Sequence, residues 1–146
     1  MNRLRNSSFY PDGLPAVGLL FLRIFAGYAM AQHGLGKIQS PFSWMGPDAP
    51  APGILQALAA ASEFFGGIAL IFGVLTPLAC FGIMSTMFVA ILSHMGRPGA
   101  AMVGGDNSWE LAGLHFTVAL TLFLTGPGVL SFDYFVFGRR REPVQA

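Results

Sequence analysis

Two charged residues, Arg23 and Glu63, lie inside long stretches of sequence that are otherwise almost entirely apolar. A charged side chain in a membrane-spanning helix costs several kcal/mol unless it is paired or hydrated, so each is a candidate functional residue. Counted from expected helix starts at Leu14 and Ile54, each lies roughly 13 Å into its helix at about 1.5 Å per residue. Because consecutive helices run antiparallel, both residues reach about the same depth, and we predict that Arg23 and Glu63 pair, directly or through a neighbour.

The sequence leaves two roles open for this pair. In the first, the pair only fixes the register and orientation of two helices. In the second, Glu63 is a proton-transfer or ligand-binding carboxylate, and Arg23 favours its ionised form. Gly66 and Gly67 follow Glu63 on the same helical face, where they either bring a neighbouring backbone close or leave room for a flat ligand.

A second group of polar residues is expected near the outer membrane surface, at the ends of three helices. Its members are Gln32, His33, Lys37, His94, Asn107, Glu110 and His115. Glu110 and His115 are five residues apart and cannot both face one site squarely, and the H-x-x-x-H spacing is absent, so we predict no metal site. Two roles remain: hydrogen bonding across helix ends, or a polar pocket in which His94 and Glu110 exchange protons with a redox ligand. Glu110 also suits the first turn of its helix, where the helix dipole favours a carboxylate.

Four apolar segments must position these residues. They cover about 14–33, 54–75, 77–95 and 109–125, near the 20 residues that a spanning helix needs. Hydrophobic residues make up 53% of the 146 residues and charged residues only 10%, well below the roughly 25% that is usual in soluble domains. Proline and glycine fill the connections. We therefore predict an all-α, membrane-embedded four-helix bundle that forms one transmembrane domain over residues 1–146.

The distribution of positive charge predicts the orientation of the bundle. Five of the eight Lys and Arg residues lie in the two tails, namely Arg3, Arg5, Arg139, Arg140 and Arg141. Positive residues favour the cytoplasmic side, and an even number of crossings places both tails together, so we expect both termini in the cytoplasm. The net charge of +1 indicates no nucleic-acid partner. Cys80 stands alone, so the chain cannot by itself run dithiol–disulfide exchange.

Motifs along most of the chain resemble those of the DoxX-like family of four-helix membrane proteins. Arg23, Gly27 and Gly34-x-x-Lys37 are similar to its arginine and glycine-to-lysine pattern, and Glu63-x-x-Gly66-Gly67 begins its second motif. The third segment ends in Ala90-x-x-x-His94, and the fourth opens with Asn107-x-x-Glu110. A final stretch, Thr125-Gly126-x-Gly128-x-x-Ser131-x-Asp133, resembles the family's ending.

This resemblance implies a multi-pass protein of the bacterial inner membrane, with a role beside quinone-linked oxidation. The resemblance singles out the motif positions Arg23, Lys37, Glu63, His94, Asn107, Glu110 and Asp133. Together with depth and spacing, this makes Glu63, His94 and Glu110 the candidate catalytic residues, and Arg23, Lys37 and Asn107 the candidate cofactor-binding residues. Expected partners are the lipid bilayer, a quinone, and redox proteins or further copies of the chain. The sequence contains no recognisable flavin, haem or nicotinamide motif, so any electron-carrying cofactor would come from elsewhere. The alternatives are a non-enzymatic membrane scaffold with a structural Arg–Glu pair and, third, a small-solute permease.

Overall fold

The structure is a computed structural model, and it describes residues 9–138. Its helices are α1 Gly13–Ile38, α2 Gly53–Phe72, α3 Thr76–Met95, α4 Glu110–Thr125 and the short α5 Phe132–Phe137. Between residues 9 and 138 the rest of the secondary structure is turns and an isolated bridge between Ala101 and Ser108. The predicted all-helical membrane bundle is confirmed.

The helices differ in how clearly they can cross a membrane. Three of them, α1 to α3, are long and apolar enough to do so. α4 is apolar but has 16 residues, somewhat fewer than the roughly 20 that a straight crossing needs. The fourth crossing therefore stays a prediction.

The helices pack in chain order. α1 packs most extensively against α2, α2 packs against α3 and α3 against α4, whereas α1 touches α4 only lightly. The buried centre includes Met30, Leu70 and Ile83, each 1% exposed. Apolar side chains also cover the outside of the bundle, for example Phe25 at 80% exposure and Leu78 at 67%. A surface of this kind is stable against hydrocarbon and not against water, which agrees with a membrane location.

Both ends of the described chain lie at the same end of the bundle. The amide of Val129, after α4, donates to the carbonyl of Pro11, before α1, at 3.0 Å. This agrees with the expectation that the two tails share one side of the membrane. The tail arginines that assign this side to the cytoplasm, Arg3, Arg5 and Arg139 to Arg141, lie outside the described residues, so that assignment stays a prediction.

Two helix boundaries differ from the predicted ones by more than one residue. α1 continues five residues past His33 and ends at Ile38, because Gly34 and Gly36 remain helical. α2 ends at Phe72 and not at residue 75, because Gly73 takes a left-handed conformation with φ +67° and ends the helix there. As a result, Lys37 is part of α1. Gly73, which follows α2, lies against the side chain of Arg23.

Candidate functional site

A buried ion pair joins α1 to α2 near the end of α1. The ammonium nitrogen of Lys37 lies 2.6 Å from Oε1 and 2.6 Å from Oε2 of Glu63. The Glu63 side chain is 2% exposed and that of Lys37 is 27% exposed. Because a charge-assisted contact to both carboxylate oxygens is strong, Lys37 offsets much of the cost of burying Glu63 in an apolar bundle.

The two helix backbones touch directly below this ion pair. A Cβ added to Gly34 would overlap the backbone of Phe64, and one added to Gly67 would lie 2.5 Å from the backbone nitrogen of Ala31. Small residues permit this close approach between membrane helices. Of the two roles left open for Gly67, the structure therefore shows close backbone contact, with no room for a flat ligand at that point.

The predicted Arg23–Glu63 pair is wrong, because the helix register differs from the one that depth counting assumes. Gly34 is the residue of α1 that faces Phe64, and Arg23 instead faces Gly73, at the end of α2. Arg23 lies eleven positions of α1 before Gly34, which is roughly 16 Å along the helix at about 1.5 Å per residue. The arginine is therefore far from the level of Glu63.

The start of α1 extends beyond the end of α2, which explains this register. Its first turns pack against the segment after α4, where Gly128 lies against Ala16. Depth counting assumed that both helices begin at the membrane surfaces and run side by side over their full lengths. That assumption fails because the C-terminal segment, and not α2, covers the first turns of α1.

Arg23 belongs to a second buried polar centre at the end of the bundle that holds both chain ends. Arg23 is fully buried, and its Nη2 donates to the carbonyl oxygen of Leu130. The carboxylate of Asp133 is near enough to interact with the guanidinium electrostatically. The other guanidinium nitrogens, Nε and Nη1, have no hydrogen-bond partner among the described residues. The arginine therefore ties α1 to the C-terminal segment and not to Glu63.

Asp133 caps the start of α3 from a different helix. Its Oδ1 accepts the amide of Leu75 at 2.7 Å, and its Oδ2 accepts the amide of Thr76 at 2.8 Å. Its own amide donates to the carbonyl of Gly73 at 2.9 Å. The first amides of a helix have no partner within the helix, and the residue at the N-cap of α3, Leu75, has no side-chain oxygen to accept them. The final motif of the sequence thus supplies a cap and closes the bundle.

The predicted outer group is only partly brought together. The rings of His33 and His115 meet edge to face, with centroids 5.9 Å apart. His94 Nδ1 lies 2.8 Å from the carbonyl oxygen of Ala90 in its own helix, and Asn107 donates to the carbonyl oxygen of Pro98 at 2.8 Å within the loop. Glu110 is exposed at the start of α4. Among residues 9–138 no hydrogen bond or ion pair joins His94, Glu110 and Glu63, so their shared catalytic role stays a prediction.

Two residues that link the α1–α2 connection to the ion pair are absent from the sequence-predicted site. Trp44 places its ring over Lys37, with Nζ 4.6 Å from the centroid. Gln56 is 4% exposed and binds the connection between α1 and α2. Gln56 lies seven positions before Glu63, two helical turns along the same face of α2, which is the signal that would have placed it in this site.

An apolar groove lies away from the ion pair, beside the C-terminal segment. Its volume is about 480 Å³. Its lining contains no ionisable residue and consists of Leu20, Ile71, Phe72, Leu130, Ser131, Phe132 and Phe135. The groove suits hydrocarbon and offers no group for proton chemistry.

In the described part of the chain, no three His, Cys, Asp or Glu side chains are grouped so that they could hold a metal ion.

Comparison with known proteins identifies a family. The sequence model of the DoxX family matches residues 18–96. This range contains Arg23, Lys37, Glu63 and His94, and it ends before Asn107. Searches of curated proteins and of solved structures found no match. Since the matched range covers more than half of the chain, this membrane protein belongs to the DoxX family.

Proposed function

We propose that the chain is a small subunit of a quinone-linked redox system in the bacterial inner membrane, and that Lys37 and Glu63 bind the quinone headgroup. The observation that supports this is the buried ion pair, in which one partner is partly exposed and the other is covered. A buried charge inside a membrane bundle marks a functional site more often than a charge at the surface.

The residues present fit a quinone in donor and acceptor type. A lysine ammonium has three N–H donors, and Glu63 takes up two of the directions around Nζ, which leaves a donor for a carbonyl oxygen. Oxidation of a quinol to a quinone releases two protons and two electrons. Glu63 accepts one of the two protons, the second passes to water at the bundle surface, and the two electrons pass to a cofactor of a partner redox protein.

The first experiment measures the quinone content of the purified protein. The full chain is purified in detergent, extracted with solvent and analysed by mass spectrometry, beside the variants Glu63→Gln and Asp106→Asn. We expect near-stoichiometric quinone in the wild type and in Asp106→Asn, which changes an exposed loop carboxylate, and a loss of most of it in Glu63→Gln.

Reconstitution separates weak binding from no binding. Each protein is placed in lipid nanodiscs with added ubiquinone or menaquinone, and binding is measured by titration. Equal binding by the wild type and by Glu63→Gln, with both proteins folded by circular dichroism, would contradict a role for Glu63. No binding by either protein would contradict the quinone proposal as a whole.

A second candidate is a non-enzymatic scaffold of the membrane. The observation that favours it is that Lys37 already occupies both oxygens of Glu63, while both oxygens of Asp133 are used by the α3 cap. Ion pairs of this kind can fix helix register without chemistry. If the protein is a scaffold, replacing both charges of the pair by apolar residues should leave the binding of its protein partner unchanged. If it is a quinone subunit, the same replacement should remove quinone binding.

A further inference from the structure

The connection between α1 and α2 folds over the ion pair. It turns back on itself after α1, with the Ser43 amide donating to the Ser40 carbonyl and the Gly46 amide donating to the Ser43 carbonyl, each at 3.0 Å. This places the Trp44 ring over Lys37. The Trp44 ring thus covers Lys37, which contacts both carboxylate oxygens of Glu63. The Lys37 side chain keeps 27% exposure and that of Glu63 only 2%.

A single buried residue holds this connection at two points. The backbone carbonyl of Gln56 accepts the indole N–H of Trp44 at 2.9 Å, and its side-chain Oε1 accepts the amide of Met45 at 3.0 Å. Its Nε2 donates to the carbonyl of Ala51 at 2.9 Å. Because Gln56 is part of α2, these three bonds fasten both halves of the connection to the helix that carries Glu63.

We propose that residues 44–51 form a lid over the Lys37–Glu63 pair, and that the bonds of Gln56 control how often the lid opens to the outer surface. In the other direction along the α1–α2 interface, the close contacts of Gly34 and Gly67 leave no room for a ligand. A ligand that reaches Glu63 along this interface must therefore pass the lid. The lid regulates the site of the proposed function, and the identity of the ligand it admits rests on that function.

Lys37 makes the lid measurable, because it is the single lysine in the 146-residue sequence. The full chain in nanodiscs is treated with a water-soluble amine reagent, and the modified Lys37 peptide is quantified over time by mass spectrometry. The peptide is distinct from that of the N-terminal amine. The variants are Gln56→Ala, which removes both side-chain bonds, and Trp44→Phe, which removes the indole bond and leaves a smaller aromatic ring at this position. The control is Gln39→Ala, which changes an exposed glutamine on the same connection.

We expect Gln56→Ala to raise the rate of Lys37 modification roughly tenfold, the size that follows from two lost hydrogen bonds, and Trp44→Phe to raise it a few fold. Gln39→Ala should match the wild type. Equal rates in all four proteins would overturn the lid. If Gln56→Ala does not fold, the rate in Trp44→Phe decides the question.

The Lys37 modification rate is measured without quinone, so the lid and the proposed function can be contradicted independently of each other. A faster Lys37 reaction in a protein that binds no quinone would support the lid and contradict the proposed function. Where quinone does bind, Gln56→Ala should also release it faster. Unchanged quinone release together with unchanged Lys37 modification would contradict the lid alone.

Discussion

Asp133 forms three hydrogen bonds with the α2–α3 turn, two through its side chain and one through its backbone amide. It accepts two backbone amides of the α2–α3 turn, and its own amide donates to the same turn. Leu75, which donates one of these amides, has a left-handed backbone with φ +47°, which costs a residue with a side chain roughly 1–2 kcal/mol. The carboxylate therefore holds the turn in a conformation that its own sequence does not favour.

Replacing Asp133 by Asn should lower the stability of the protein by about 1.5–3 kcal/mol, the usual range for a lost hydrogen bond to a charged group. An amide side chain has one acceptor oxygen, so one of the two backbone amides would face an N–H group. The measurement is thermal unfolding in detergent, with Asp106→Asn in an exposed loop as the control. Equal unfolding temperatures for the two variants would show that the cap does not stabilise the fold.

The α1–α2 contact is the part of the structure that places the ion pair. α1 carries Arg23 near its middle and Lys37 in its last turn, with Gly34 between them. Gly34 lets the backbone of α2 come close, and this sets which cation Glu63 meets. A larger residue at this contact would separate the helices and would also disturb the pair.

Substitutions of two neighbouring glycines of α1 should change stability in opposite directions. Gly34→Ala places a methyl group against the backbone of Phe64, so we expect a loss of roughly 1–3 kcal/mol. Gly36→Ala places its methyl group in open space, so we expect no loss and a gain of up to about 1 kcal/mol from helix propensity. Thermal unfolding of both variants tests this, and a similar loss in both would mean that Gly34 does not set the contact.

At the scale of the whole molecule, hydropathy predicts the helices, but it does not predict which charged side chains pair. Apolar length predicts the helices, and proline and glycine predict the connections. The partner of Glu63 depends on how far α1 slides along α2, which single-helix depth cannot give. The glycines contained this information: setting Gly34 of α1 beside the start of the Glu63-x-x-Gly66-Gly67 motif brings Lys37 to Glu63. Gln56 shares a face of α2 with Glu63 through their seven-residue spacing, whereas Trp44 joins the site through loop folding, which has no helical period to predict it.

A double substitution of the ion pair tests the role of the protein as a whole. Lys37→Leu alone leaves Glu63 buried without a partner and should destabilise the fold by about 3–5 kcal/mol, whereas Lys37→Leu with Glu63→Leu should be nearly neutral. Thermal unfolding measures this difference, and quinone titration of the same proteins measures function. A stable double variant that no longer binds quinone would support the redox subunit. A stable double variant that keeps every activity of the wild type would favour the scaffold, because its charges would then serve only to align α1 with α2.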